Sequence, residues 1–174
     1  MIGDSSSLDA IVRSCQRLHS LIGDGLSWQL ENPTVGGRMW LRSQVPGEIA
    51  ELLNRLKRDT PEVLGTEYCP LVEIWNDMRG LLYVLNRRAE TIEEEKLNKA
   101  MPLLLAASGV TWHWLTALMR VSPVCHSDLD GIEPLDVVLE RAGRAGLAGK
   151  SPDEIAPRLI GEMREFMVSV RTAT

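Results

Sequence analysis

Residues Ala100–Met119, A-M-P-L-L-L-A-A-S-G-V-T-W-H-W-L-T-A-L-M, decide how this chain folds. The stretch holds no Asp, Glu, Lys or Arg, although charged residues make up 25% of the whole. Such a segment has to be hidden in a core, a partner or a membrane. Twenty residues reach the length of a membrane span. Pro102, Ser108, Gly109, Thr111, His113 and Thr116 make it too polar for a typical one. A buried helix from about Pro102 to Val121 is therefore expected, with no membrane contact. Trp112 and Trp114 lie about 200° apart on it, facing opposite ways. A tryptophan of this helix left uncovered by its neighbours marks an interface, because Trp is enriched in binding hot spots.

Outward from this helix the apolar residues recur at helical spacing. Leu8, Ile11, Val12, Cys15, Leu18, His19 and Ile22 share one stripe, which is expected to stop at Gly23 or Gly25. Ile49, Leu52, Leu53 and Leu56 form a second stripe, from Pro46 to about Asp59, with a cap and turn at Thr60-Pro61. Leu71, Ile74, Trp75, Met78, Leu81, Leu82 and Leu85 form a third. Thr91 and Glu94 read as a capping box, and Pro102 predicts a kink or break near Ala100. Leu135, Val138, Leu139 and Ala142 make a short stripe. Ser151-Pro152-Asp153-Glu154 then opens a last helix that runs to about Arg171. The chain has 174 residues, enough to bury a core without disulfides or metal. The expected fold is all-α: one domain over residues 1–174, a bundle of about six helices around the apolar one.

Composition narrows the function classes. The net charge of −5 does not suit a general nucleic-acid binder. Three scattered cysteines, Cys15, Cys69 and Cys125, without a C-x-x-C, suit a reducing compartment. The N-terminus lacks the basic and apolar regions of a signal peptide, so a cytoplasmic location is expected. Cys15 and His19 share a helix face. A zinc site would still have to recruit Cys69, Cys125 or His126 from distant segments, and the spacing matches no zinc module. Asp128-Leu129-Asp130-Gly131 resembles the start of a calcium loop but has Leu139 where the bidentate Glu belongs. No metal and no cofactor are expected. No nucleophile elbow, P-loop or dinucleotide fingerprint occurs.

What remains is a set of large apolar and arginine residues in weakly patterned segments. Trp28, Arg38, Met39, Trp40, Leu41 and Arg42 flank the turn-forming run Asn32–Gly37 and are the expected contact surface for a protein partner or a second copy. The reading is a non-enzymatic interaction module: an adaptor, a small subunit of an assembly or a protein inhibitor. One alternative uses the arginine bias, 15 of 19 basic residues. In it Arg13, Arg17, Arg55, Arg58, Arg87 and Arg88 hold a nucleic-acid backbone. A second alternative is a small helical enzyme using His113 in an enclosed pocket.

Overall fold

The structure, a computed structural model, describes residues 5–33, 35–65, 69–120 and 133–172. Among these residues there are seven α-helices and no strand. They are α1 (Ser5–Glu31), α2 (Gly36–Arg42), α3 (Val45–Leu64), α4 (Cys69–Arg87), α5 (Glu94–Arg120), α6 (Leu135–Arg141) and α7 (Pro152–Thr172). A 3₁₀ turn at Ala145–Leu147 joins the last two. The helices pack on one another around one continuous buried cluster.

The uncharged stretch is the far part of α5, and α5 packs against α1, α4, α6 and α7. Every residue from Leu103 to Trp112 is buried. None of the helices among the described residues is long and apolar enough to cross a membrane. The helix continues through Pro102, so the expected break does not occur there. Pro102 denies the Asn98 carbonyl one N–H, but Ala100, Met101, Leu103 and Leu104 on both sides of it are buried. One lost backbone bond is outweighed by packing that continues on either side.

Three helix ends differ from the sequence expectation. α1 does not stop at Gly23 or Gly25; it continues to Glu31. Gly25 is a contact residue there, not a breaker. A Cβ at Gly25 would stand 2.5 Å from the Trp40 ring and 2.7 Å from the Met101 methyl. α3 runs through Thr60 and Pro61 and stops at Gly65, whose φ of 90° suits glycine and whose N–H donates to the Pro61 carbonyl. α5 starts at Glu94 and not just after Thr91, which lies in the turn following α4. Ile92 is the buried plug of that connector, 5% exposed. α7 opens at Pro152 as the sequence indicates, with the Glu154 and Ile155 N–H groups donating to the Ser151 carbonyl.

α1 and α5 run antiparallel: Gln29 meets Asn98, and His19 meets Ser108. α1 and α3 are also antiparallel, joined by an ion pair of Arg17 with Glu48. α4 and α7 are parallel and are tied by Arg164, which reaches Glu73 and Asp77. The short α2 sits across one end, in contact with α1, α3 and α4. The expected loop Ser122–Glu133, the Asp128–Gly131 run, Cys125 and His126 lie outside the described residues, apart from Glu133.

Candidate interaction surface at the α1–α2 corner

The segment 28–42 turns a corner, and its geometry follows from two adjacent glycines and one glutamine. The Gly36 N–H donates to the Asn32 carbonyl at 2.7 Å, which tightens the turn. A Cβ on Gly36 would overlap the Trp28 carbonyl oxygen, and one on Gly37 would overlap the Gln29 amide oxygen. Only glycine lets the start of α2 lie this close to the end of α1. Gln29 is 2% exposed. Its oxygen accepts the Gly37 N–H at 2.9 Å, and its amide nitrogen donates to the Pro33 carbonyl and to Asn98 of α5. A buried amide with its bonds filled fixes the corner in one arrangement.

The six residues expected at a contact surface separate into two groups, and Leu41 falls in the core, completely buried. Trp28 and Met39 are on the surface, 39% and 56% exposed. Trp40 is not: it is completely buried against Gly25, and its indole Nε1 has no hydrogen-bond partner. Trp40 therefore belongs to the core, because α1 continues past Gly25 and covers it. Arg38 points inward too. Its guanidinium donates to the Ala89 carbonyl at 2.9 Å and to the Ile92 carbonyl. It thereby supplies donors to carbonyls of the connector between α4 and α5. Arg42 is exposed and pairs with Glu90 at 3.1 Å.

Of the seven exposed large hydrophobics among the described residues, four fall between Trp28 and Met39: Trp28, Leu30, Val35 and Met39. This concentration makes the corner the main apolar feature of the described surface. The Gly36 backbone lies against the Trp28 carbonyl, which brings the start of α2 beside the end of α1, and Met39 lies one turn beyond Val35, its N–H donating to the Val35 carbonyl. Leu30 lies about 200° around α1 from Trp28 and falls outside the patch.

The six arginines of the nucleic-acid alternative do not form one cationic face. Arg13, Arg17 and Arg55 do line contiguous clefts of about 550 and 390 Å³ between α1 and α3. The same clefts are lined by Glu48, Glu51, Asp59 and Glu62, so three positive charges meet four negative ones. Arg13 pairs with Asp9, Arg17 with Glu48 and Arg58 with Asp59. Arg87 lies over the Tyr83 ring at the end of α4. Arg88 follows that helix in the turn to α5.

Of the two described histidines, His19 of the α1 stripe is buried, while His113 is half-buried with its Nε2 atom shielded from solvent. The Ser108 hydroxyl lies within hydrogen-bond distance of the Leu105 carbonyl, at 3.0 Å, and of His19 Nδ1, at 2.7 Å, and Ser108 is fully buried. His19 Nε2 faces Glu133 at 3.9 Å, and Glu133 is held by Arg141 at 2.6 Å. Burial holds the His19 pKa down to about 4, against the pull of Glu133. Burial likewise pushes the Cys15 thiol far up, with a Thr111 hydrogen bond opposing. Cys15 thus lacks the thiolate character of a nucleophile or metal ligand. Among the described residues, no three His, Cys, Asp or Glu side chains converge to hold an ion. Comparison with family models, curated proteins and solved structures finds no match to this chain.

Proposed function

We propose that this chain is a non-enzymatic helical interaction module whose contact surface is the α1–α2 corner, centred on Trp28, Val35 and Met39. The observation that supports it is the concentration of exposed apolar side chains on a backbone fixed by Gln29, Gly36 and Gly37. An aromatic and a methionine on a rigid frame suit a protein partner, since little ordering entropy is lost on docking. Arg42 and Glu90 supply a polar rim. The partner is another protein or a second copy of the chain, and the module acts as an adaptor, a small subunit or an inhibitor.

The test compares the native chain with a Trp28→Ser, Met39→Ser double variant by light scattering and affinity capture. The variant is expected to fold with unchanged helicity and to lose the partner or the self-association. A strict monomer that captures nothing, or a partner retained in full by the variant, would overturn the reading.

A nucleic-acid backbone remains the second reading, supported by the convergence of Arg13, Arg17 and Arg55 on one cleft. It is the weaker one because carboxylates line the same cleft. A mobility shift that weakens steeply with salt would favour it, and no shift at low salt would exclude it.

A further inference from the structure

The one tryptophan of α5 that its neighbours leave partly open is Trp114. Trp112, two residues earlier, is 9% exposed, while Trp114 is half-buried. Trp114 lines a cleft of about 410 Å³ between α4, α5 and α7. That volume falls within the range of small-molecule sites. The cleft is apolar on the side formed by Pro70, Pro157 and Ile160. Its charged residues are Glu73, Asp153 and Arg164. Arg164 is committed, reaching Glu73 at 3.0 Å and Asp77 at 3.2 Å. Asp153 has no ion-pair partner among the described residues, so the side-chain charges lining the cleft, two negative and one positive, leave it acidic.

α7 gives up helix stability where it lines this cleft. Pro157 stands inside the helix and supplies no N–H to the Asp153 carbonyl. Gly161, one turn further, is also inside the helix, and a Cβ there would meet nothing within 4 Å. No close packing requires that glycine; what its missing side chain leaves is open space in the cleft. A half-buried indole, an apolar side and two carboxylates, of which Glu73 is shared with Arg164, together line the cleft.

We propose that the cleft between α4, α5 and α7 binds a small organic cation with an apolar body, whose charge is met by Asp153, Glu73 and the face of Trp114. An ammonium or guanidinium over an indole gains from the ring quadrupole, and the gain grows as water is excluded. The N-terminus of α7 carries partial positive charge, which Asp153 in its first turn offsets. This site is separate from the α1–α2 corner and does not depend on its role.

The test follows the Trp114 indole N–H resonance, assigned by its loss in Trp114→Phe, while phenethylammonium chloride is titrated into the millimolar range. Its neutral isostere, 2-phenylethanol, and the anion phenylacetate are titrated in parallel, as is a short arginine-containing peptide. The cation is expected to shift the resonance saturably. The neutral and anionic probes should bind at least about fivefold more weakly. Asp153→Asn should weaken the cation roughly three- to fivefold, and Glu73→Gln by a similar factor. Gly161→Met should fill the cleft and abolish the shift with the melting temperature retained. Tighter binding of the peptide than of the free cation would identify the cation as a protein side chain; the reverse order would identify it as a small molecule. An unmoved Trp114 resonance, equal binding of 2-phenylethanol, or undiminished binding in Asp153→Asn would overturn the proposal.

Discussion

Acid should destabilise this protein through His19 in a window set by its burial. In the unfolded chain the imidazole titrates near 6.5, and in the fold it does so near 4. The largest cause is desolvation: His19 is 6% exposed, wedged between Ser108 of α5 and the Trp112 ring 5.2 Å away. Glu133 pulls the other way but is already engaged by Arg141. Between the two values the unfolded chain binds the extra proton, so stability rises with pH across that window. The contribution is therefore intact above pH 6.5, is lost as pH falls, and changes no further below about pH 4. A displacement of this size corresponds to about 3 kcal/mol. Urea midpoints at a series of pH values would measure it, with His19→Asn as the comparison. The asparagine amide can still hydrogen-bond with Ser108 and carries no titratable charge. It loses ring packing at every pH, but its stability should fall by about 3 kcal/mol less between neutral pH and about pH 4. Asp77, raised by burial against Arg164, has the opposite slope. It is common to both proteins and cancels in the comparison. Equal acid loss in the two proteins would refute this account of His19.

Glycines inside helices should respond in opposite directions. Gly25→Ala is expected to cost about 1–3 kcal/mol because the Trp40 ring and Met101 block the new methyl; Gly161→Ala, in open space, should gain about 0.5–1 kcal/mol in thermal unfolding. Gln29→Ala should cost about 2–4 kcal/mol, since it strands the Gly37 N–H and leaves a void beside Asn98. Its signature should be early amide exchange at Gly36 and Gly37 before the rest of the core opens. Arg38→Ala should lower denaturant stability by about 1.5–3 kcal/mol through the carbonyls of Ala89 and Ile92. A folded Arg38→Ala protein that keeps full stability would show that this clamp contributes nothing.

The parts of the fold legible in the sequence are those fixed by local pattern. The absence of charge over 100–119 announced a buried helix. The stripes from Leu8, Ile49, Leu71 and Ile155 mark core faces, and Ser151-Pro152 marks where α7 begins. The parts that were not legible depend on residues far apart in the chain. Gly23 and Gly25 look like a helix stop, and only the Trp40 ring, fifteen positions later, shows why Gly25 belongs inside the helix. Trp40 looks like an exposed contact residue for the same reason. Arg38 looks like a free cation, yet its acceptors are backbone carbonyls some fifty residues downstream, which no side-chain pattern encodes. At the corner, Trp28 and Met39 could be read from the sequence as unplaced apolar residues. The cleft at Trp114 could not, since its walls come from three helices. The opposed facing of Trp112 and Trp114 was the only local hint.

Neighbouring residues of the corner divide the labour between frame and surface, and this division bears on how the patch could bind. Arg38 and Trp40 point into the protein, while Met39 between them points out. Successive helical positions differ by about 100°, so a seven-residue helix can anchor on two sides and still present one residue to solvent. With Gln29, Gly36 and Gly37 holding the other edge, the backbone of the corner has little freedom left to lose. A partner docking on Trp28, Val35 and Met39 would then be opposed mainly by side-chain ordering and not by folding of the segment. Exposed apolar groups on a loose loop would carry the larger entropic cost of ordering the chain. A rigid frame of this kind lowers the cost of docking relative to the same side chains on a loose loop.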